Sequence, residues 1–369
     1  MKRILSVVGA RPNFMKVAPI HRAFQQYSPE FEHCIVHTGQ HYDAAMSDAF
    51  FTDLAMPAPT VFLGIGGGSH AEQTARIMVE FEKTCLDLQP DLVIVVGDVN
   101  STIACALTAV KLGIPTAHVE AGLRSYDRKM PEEINRIATD SICDYWFTTE
   151  ESGTNTLLQQ GCEKDKVFFV GNTMIDSLHY AMPMVHNSTI LQEIGIQKKE
   201  YALVTMHRPS NVDEPEQLSA LMNILAELSN QKAIVFPVHP RTKQKLEEYG
   251  LMHILTTHPD LHLILPQGYI NFVALMNNAD FVLTDSGGIQ EETTVLGIPC
   301  ITARTTTERP STVSLGTNIL IDPSPESIHK ALHKMMNEPR KIGQIPPLWD
   351  GKAAERIASI IVSHSLYKQ

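Results

Sequence analysis

The chain lacks the long apolar runs, cysteine pairs and basic excess that mark several classes of protein. No apolar segment approaches the roughly 20 residues that a membrane-spanning helix requires. Its six cysteines are scattered, with no Cys-x-x-Cys pair and no histidine at zinc-finger spacing, so we predict a cytoplasmic protein without a structural metal. A net charge of −11 argues against general affinity for nucleic acid or anionic membrane. Low-complexity tracts and internal repeats are also missing, which excludes disordered and solenoid proteins.

Short apolar runs alternate with helical stretches along the whole chain. The runs are rich in β-branched and aromatic residues and are bounded by Gly, Pro or Asp, as buried parallel strands are. They cover residues 4–8, 33–36, 92–96, 116–119, 145–148, 167–170, 201–204, 233–236, 261–265, 281–283 and 300–302. This rhythm predicts two doubly wound α/β domains, joined by the polar segment from about Met184 to Glu200. We expect a ligand in the cleft between them, at the carboxyl ends of the strands.

The segment Thr284–Glu292 has the build of a phosphate site. An apolar run leads into the glycine-rich turn Asp285–Gly288, and the helix that follows would direct free N–H groups and its positive dipole end at an anion. Glu291 and Glu292 would repel a phosphate, so we expect one of them to turn away and hold the hydroxyls of a ribose. An ordinary strand-to-helix turn is the alternative.

Two cations follow the first predicted strand. Arg11 would lie at the mouth of the first turn and Lys16 in the next helix, where the pair could neutralise a diphosphate. Solvated surface charges are the alternative reading of this pair.

Three carboxylates of the first half would reach the mouth of one sheet. Asp98 and Glu120 each follow an apolar strand, and Glu132 begins a helix headed by proline. Asp98 could instead cap the helix after it, and Glu132 could form a surface salt bridge with Arg136 one turn away. Close carboxylates raise one another's proton affinity, which allows one to act as base and another as acid.

Polar side chains also follow the strands of the second half. They are His207, Arg208, His239 and Arg309. His207 could face a phosphate or act as an acid, although a structural hydrogen bond is the usual role of such a histidine. The loop 266–272 could present the amide of Gln267 and the ring of Phe272 to a nucleobase.

With these residues in hand, the chain resembles the non-hydrolysing UDP-N-acetylglucosamine 2-epimerases. The matching segments are 9–12, 37–41, 97–98, 118–124, 131–133, 171–173, 285–292 and 307–310. The resemblance implies two Rossmann-like domains in the GT-B architecture, with a C-terminal helix near Lys352–His364 that returns to the first domain. We therefore expect a first domain over residues 1–183 with 352–369, and a second over 184–351. A homodimer is implied, and no cofactor or metal.

The implied reaction interconverts UDP-GlcNAc and UDP-ManNAc through loss of the C2 proton and of UDP, which gives a bound 2-acetamidoglucal. The residues that match the family's catalytic groups are Asp98, Glu120, Glu132 and His207. Those that match its substrate contacts are Arg11, Lys16 and Arg309 for the diphosphate, Gln267 and Phe272 for uracil, Ser286, Gly287 and Gly288 for the phosphate turn, and Glu292 for the ribose.

Bacterial members of this family bind a second, allosteric UDP-GlcNAc. The residues that match some of its contacts are Gln40, Arg76, Arg208 and His239, while the segment Pro209-Ser210 departs from the family pattern. Other readings stay open: a 2-epimerase of a UDP-diacetamido-uronic acid, a hydrolysing epimerase that releases ManNAc and UDP, a retaining GT-B glycosyltransferase, or a nucleotide-sugar sensor. The first turn, Gly9-Ala10-Arg11-Pro12, speaks against the hydrolysing enzyme.

Overall fold

The computed structural model describes residues 1–39 and 53–367, and of Arg11 only the backbone. Gln40, one of the predicted allosteric contacts, lies outside the described residues. The chain divides into two compact units, Met1–Ala181 with Pro347–Gln369 and Met182–Pro346. Among the residues described, no helix combines the length and apolarity needed to cross a bilayer.

The first unit is built on a parallel sheet with the strand order β3-β2-β1-β4-β5-β6-β7. Its strands are β1 Lys2–Val8, β2 Phe31–His37, β3 Val61–Phe62, β4 Leu92–Val96, β5 Thr116–Val119, β6 Tyr145–Thr148 and β7 Val167–Phe169. The helices of this part of the chain are α1 Arg11–Phe24, α2 His70–Leu88, α3 Asn100–Lys111, α4 Pro131–Ile142, α5 Glu151–Gln159 and α6 Thr173–His186. Short 3-10 helices cover Gln25–Tyr27 and Lys164–Lys166. Every residue of β4 and β5 is buried, as expected for strands covered by helices on both faces.

The second unit has a parallel sheet with the order β10-β9-β8-β11-β12-β13. Its strands are β8 Tyr201–Thr205, β9 Ala233–Pro237, β10 Leu261–Ile264, β11 Phe281–Thr284, β12 Cys300–Ala303 and β13 Asn318–Ile321. Its helices are α7 Ile190–Glu193, α8 Pro209–Val212, α9 Pro215–Ser229, α10 Pro240–Glu248, α11 Met252–Thr256, α12 Tyr269–Asn278, α13 Gly287–Leu296, α14 Pro310–Ser314 and α15 Pro325–Asn337.

The predicted α/β class is confirmed, but two of the strands were not predicted. β3 pairs with β2 through only two residues, too few to show a pattern. β13 lies at the edge of its sheet and carries the apolar run Ile319-Leu320-Ile321, which was not among the predicted strands although its residues are typical of one.

A last helix, α16 Ala353–Ser363, belongs to the first unit although it follows the second unit in the chain. It packs against α1. Asp176 on α6 accepts hydrogen bonds from the backbone N–H groups of Ala353 at 3.1 Å and Ala354 at 2.7 Å, so the helix is capped by a residue distant in sequence. Burial raises the pKa of the Asp176 carboxyl to about 6.

Candidate active site

Two predicted catalytic carboxylates leave neighbouring strands at the same edge of the first sheet. Asp98 follows β4 by one glycine, Gly97, and Glu120 directly follows β5. The backbone N–H of Gly97 donates to the carbonyl of Val119 at 3.0 Å, which ties the two strand ends together. Asp98 does not cap the next helix, because α3 begins at Asn100 after Val99.

Lys16 reaches this edge from α1. Its Nζ lies 2.6 Å from Oε2 of Glu120, and each of the two side chains exposes only 4% of its surface. Gly97 has a φ of +68°, and a Cβ there would lie 2.9 Å from the Lys16 Nζ. The positive φ therefore favours glycine at 97, and any side chain there would have to displace the Lys16 ammonium. Lys16 is not a solvated surface charge.

Glu120 has the left-handed backbone conformation, with a φ of +71°. A residue with a side chain adopts this conformation at a cost of roughly 1 to 3 kcal/mol, so its surroundings must hold it. The backbone N–H groups of Glu120 and Ala121 both donate to the carbonyl of Phe147 on β6, at 3.0 and 3.1 Å. Strain of this kind is typical of functional positions.

Helix α4 joins the same edge through Arg136. The guanidinium is buried rather than on the surface: it contacts the carboxylate of Asp98, and its Nη1 lies 2.6 Å from Oε2 of Glu133. Asn135 Nδ2 donates to the carbonyl of Asp98 at 3.0 Å. The alternative, a surface salt bridge of Arg136 with Glu132, does not describe this arrangement, because Arg136 forms a buried ion pair with the neighbouring Glu133. Glu132 itself is half-exposed in the first turn of the helix.

In the second unit, His207 is held by Asp285, a role that was not predicted for this residue. Nδ1 of His207 lies 2.7 Å from Oδ1 of Asp285. Oδ2 accepts from the backbone N–H groups of His207 and Arg208, at 2.9 and 2.8 Å, and from Asn211 Nδ2 at 2.9 Å. Burial opposes ionisation of Asp285, but the contacts with His207 and the N–H groups outweigh it and lower its pKa. These contacts fix the imidazole ring of His207. Asp285 contacts its Nδ1 and not its Nε2.

Two of the predicted allosteric residues lie beside this histidine. The ring centroids of His239 and His207 are 5.2 Å apart. Arg208 Nε donates to the backbone carbonyl of Asp285 at 2.9 Å. The third, Arg76, is on α2 of the first unit and donates from Nη2 to the carbonyl of Gly67 at 2.6 Å.

The predicted phosphate turn opens α13. Ser286 stands at the N-cap with extended backbone angles, and its side chain makes no capping hydrogen bond within the described part of the chain. The helix begins with Gly287 and Gly288, which have no side chains of their own to cover the N–H groups of its first turn. A Cβ on Gly287 would lie 2.9 Å from Glu308 Oε1 and 3.1 Å from Arg309 Nη1, which brings Arg309 to this turn.

Arg309 is already part of a buried ion-pair network. Its Nε lies 2.9 Å from Oε1 of Glu291, and it also contacts Glu308. Glu308 in turn lies 2.8 Å from Nη2 of Arg304. Two arginines and two carboxylates therefore balance one another, and Glu291 has a structural role.

The residues predicted to bind uracil and ribose gather around α12. Tyr269 Oη donates to Oε1 of Glu292 at 2.9 Å, and both side chains are buried. Gln267 lies just before the helix and is half-buried, with Nε2 donating to the carbonyl of Leu265 at 2.8 Å. Phe272 is half-buried on the helix itself. Of the predicted contacts, only the side chain of Arg11 and the whole of Gln40 fall outside the described residues.

Known proteins resemble this chain over nearly its full length. A family model described as UDP-N-acetylglucosamine 2-epimerase matches residues 23–362. The UDP-N-acetylglucosamine 2-epimerase of Methanocaldococcus jannaschii is 42% identical over 366 residues, which cover 96% of this chain and 97% of that protein. A crystal structure of the M. jannaschii UDP-GlcNAc 2-epimerase in complex with UDP-GlcNAc and UDP has a TM-score of 0.89 at 42% identity, covering 98% of this chain and 100% of that one. The UDP-2,3-diacetamido-2,3-dideoxy-D-glucuronate 2-epimerase of Pseudomonas aeruginosa is 38% identical over 367 residues, 97% of this chain and 99% of that protein.

Proposed function

The chain belongs to the UDP-N-acetylglucosamine 2-epimerase family, and from this membership we propose that it interconverts UDP-GlcNAc and UDP-ManNAc without releasing the free sugar. The relative from M. jannaschii binds UDP-GlcNAc and UDP in its crystal structure, which supports the substrate. The single observation in this chain that carries the proposal is the buried Lys16–Glu120 pair next to Gly97 and Asp98. It supplies carboxylates at one sheet edge, as removal and return of a C–H proton require.

The proposed reaction breaks the C2–H bond and the C1–O bond to UDP, and a C1=C2 double bond forms. A carboxylate takes the proton, and UDP leaves with the electron pair of the C1–O bond. A second acid then delivers a proton to the opposite face of C2, and UDP adds back at C1. Asp98, Glu120 and Glu132 are the proposed acid and base groups, and Arg136 holds Asp98 in place.

The leaving diphosphate needs groups that accept its growing negative charge. We assign this role to His207, oriented by Asp285, and to the cations Arg11, Lys16 and Arg309. The N–H groups at Ser286, Gly287 and Gly288 are the proposed phosphate cradle. Glu292, held by Tyr269, is assigned to the ribose, and Gln267 and Phe272 to uracil.

A second candidate substrate is the UDP-2,3-diacetamido-2,3-dideoxy-D-glucuronate on which the 38% identical relative acts. Its C2 chemistry is the same, because the same proton and the same UDP group leave. The carboxylates of this chain therefore suit both sugars, and the two differ only at C3 and C6.

Regulation, assembly and location follow as further proposals. Gln40, Arg76, Arg208 and His239 are proposed to bind a second UDP-GlcNAc, and the contact of His239 with His207 would connect that ligand to the diphosphate. We propose a homodimer in the cytoplasm. The six free cysteines suit such a reducing compartment.

The test is proton NMR of UDP-GlcNAc with the purified protein in D2O. Deuterium at C2 in a mixture of UDP-GlcNAc and UDP-ManNAc is the expected result. Free UDP together with ManNAc would instead identify a hydrolysing enzyme. Exchange with the diacetamido-uronate sugar alone would replace UDP-GlcNAc by the second candidate.

A further inference from the structure

We propose that Asp140, on α4, is a positioning residue for Asp98 and Glu120. The inference rests on the proposed function, because it concerns the placement of two groups that act at C2. Asp140 lies too deep to meet a substrate itself, since only 1% of it is exposed. It contacts His118 and Gly122, which flank Glu120, and through His118 it reaches the carbonyl of Gly97 just before Asp98.

Both oxygens of Asp140 hold the chain next to Glu120. Oδ2 accepts hydrogen bonds from the backbone N–H of Gly122 at 3.1 Å and from Arg124 Nη1 at 2.6 Å. Oδ1 lies 2.7 Å from Nδ1 of His118. His118 and Gly122 each stand two residues from Glu120, so one carboxylate fastens the chain on both sides of it.

The ring of His118 extends this contact to Asp98. Its Nε2 lies 2.8 Å from the carbonyl oxygen of Gly97. Because a carbonyl can only accept, Nε2 carries a proton and donates it. Gly97 immediately precedes Asp98, so the peptide that carries Asp98 is fixed to the strand that carries Glu120.

The network is buried, which makes its loss costly. His118 is fully buried and Arg124 is 6% exposed. Shortening Asp140 would remove an acceptor from Gly122, Arg124 and His118 where water does not replace it. Glu120, which is held in the left-handed conformation, would then relax away from its present place.

The test compares Asp140→Ala, Asp140→Asn and Asp176→Ala in the full-length enzyme, with UDP-GlcNAc in D2O. Four quantities are measured: kcat, KM, the Kd for UDP, and the ratio of C2 deuterium in recovered UDP-GlcNAc to that in UDP-ManNAc. Compared at the same low conversion in every variant, the ratio depends on how the acid and the base are placed, and not on how much enzyme is folded.

We expect Asp140→Ala to lower kcat roughly 100-fold, as a displacement of about 1 Å does, and to shift the deuterium ratio while the Kd for UDP stays unchanged. Asp140→Asn keeps an oxygen for Gly122 and Arg124 and can donate to His118, so it should recover most of kcat. Asp176→Ala is the matched control, since this buried carboxylate also holds backbone N–H groups. It should lower stability and keep the wild-type ratio.

Wild-type kcat and ratio in Asp140→Ala would overturn the inference. So would activity that falls only in proportion to the folded fraction, with an unchanged ratio. If Asp140→Ala does not fold, His118→Phe keeps the ring volume and removes its hydrogen bonds, and an unchanged ratio there has the same meaning. Wild-type enzyme that exchanges no C2 hydrogen would overturn the proposed function itself, which separates the two failures.

Discussion

Lys16 and Glu120 form an ion pair of 2.6 Å between the first helix and the end of β5, away from solvent. The ammonium compensates a carboxylate that is itself held in a strained backbone conformation. Neither partner can be removed alone without leaving an uncompensated charge in the interior.

Replacing Lys16 by methionine should therefore destabilise the protein by roughly 3 to 5 kcal/mol. The control is Lys83→Met, because the pair of Lys83 with Glu80 is exposed and should contribute about 1 kcal/mol or less. Urea unfolding followed by tryptophan fluorescence measures both, since Trp146 and Trp349 both lie in the first unit. Equal losses in the two variants would show that the buried ion pair contributes no more to stability than the exposed one.

Gly97→Ala and Gly113→Ala form a second matched comparison. Both glycines have a φ of +68°, but a Cβ on Gly97 would lie 2.9 Å from Lys16 Nζ, whereas a Cβ on Gly113 would have no neighbour within 4 Å. Each substitution should cost about 1 to 2 kcal/mol of stability from the backbone alone. Only Gly97→Ala should also abolish epimerisation in the NMR assay. Full activity in that variant would contradict the close packing of Lys16 in the site.

Asp285→Asn should lower kcat by roughly 10²- to 10⁴-fold if His207 transfers a proton to or from the diphosphate. The amide keeps the size of the carboxylate but loses the charge that holds Nδ1 of His207. A double-mutant cycle with His207→Gln is the decisive measurement, because two residues that act as one unit give non-additive losses. Fully additive losses would show that Asp285 and His207 contribute to catalysis independently.

The pH dependence of stability should report Asp176. Its pKa in the folded protein is about 6, above the usual value of about 3.9. At a pH between these two values the folded state therefore binds a proton that the unfolded state has lost. Stability from this group is therefore present at low pH and is lost as pH rises through 6. Lowering the pH from 7.5 to 5 should stabilise the wild type relative to Asp176→Asn by about 1 kcal/mol. Urea unfolding at both pH values measures this difference, and a shift of opposite sign would refute it.

Periodicity and strand-end polarity were enough to predict the α/β class and most of the strands, because a buried parallel strand can be recognised from its own run of apolar residues. The family was also identified correctly, from motifs that lie mostly at strand ends. What a single sequence does not contain is which strand lies beside which. Asp285 and His207 are 78 residues apart and meet because β8 and β11 are neighbours.

The carboxylate that pairs with Arg136 could not be predicted for a different reason. Successive residues of a helix differ by about 100° in direction, so Glu132 and Glu133 face different surroundings. Spacing along the chain allows a pair of Arg136 with either, at three or four residues. The choice of Glu133 depends on Ser125, whose N–H and hydroxyl also bind that carboxylate, at 2.9 and 3.0 Å.

The position of α16 in the chain sets the order in which the protein can be completed. A ribosome delivers the whole of Met182–Pro346 before residues 353–363 emerge, so the second unit is synthesised while the first still lacks its last helix. Until then the face of α1 that α16 covers, and the carboxylate of Asp176, meet water or a chaperone. The first unit, although it starts the chain, is thus the one that finishes last.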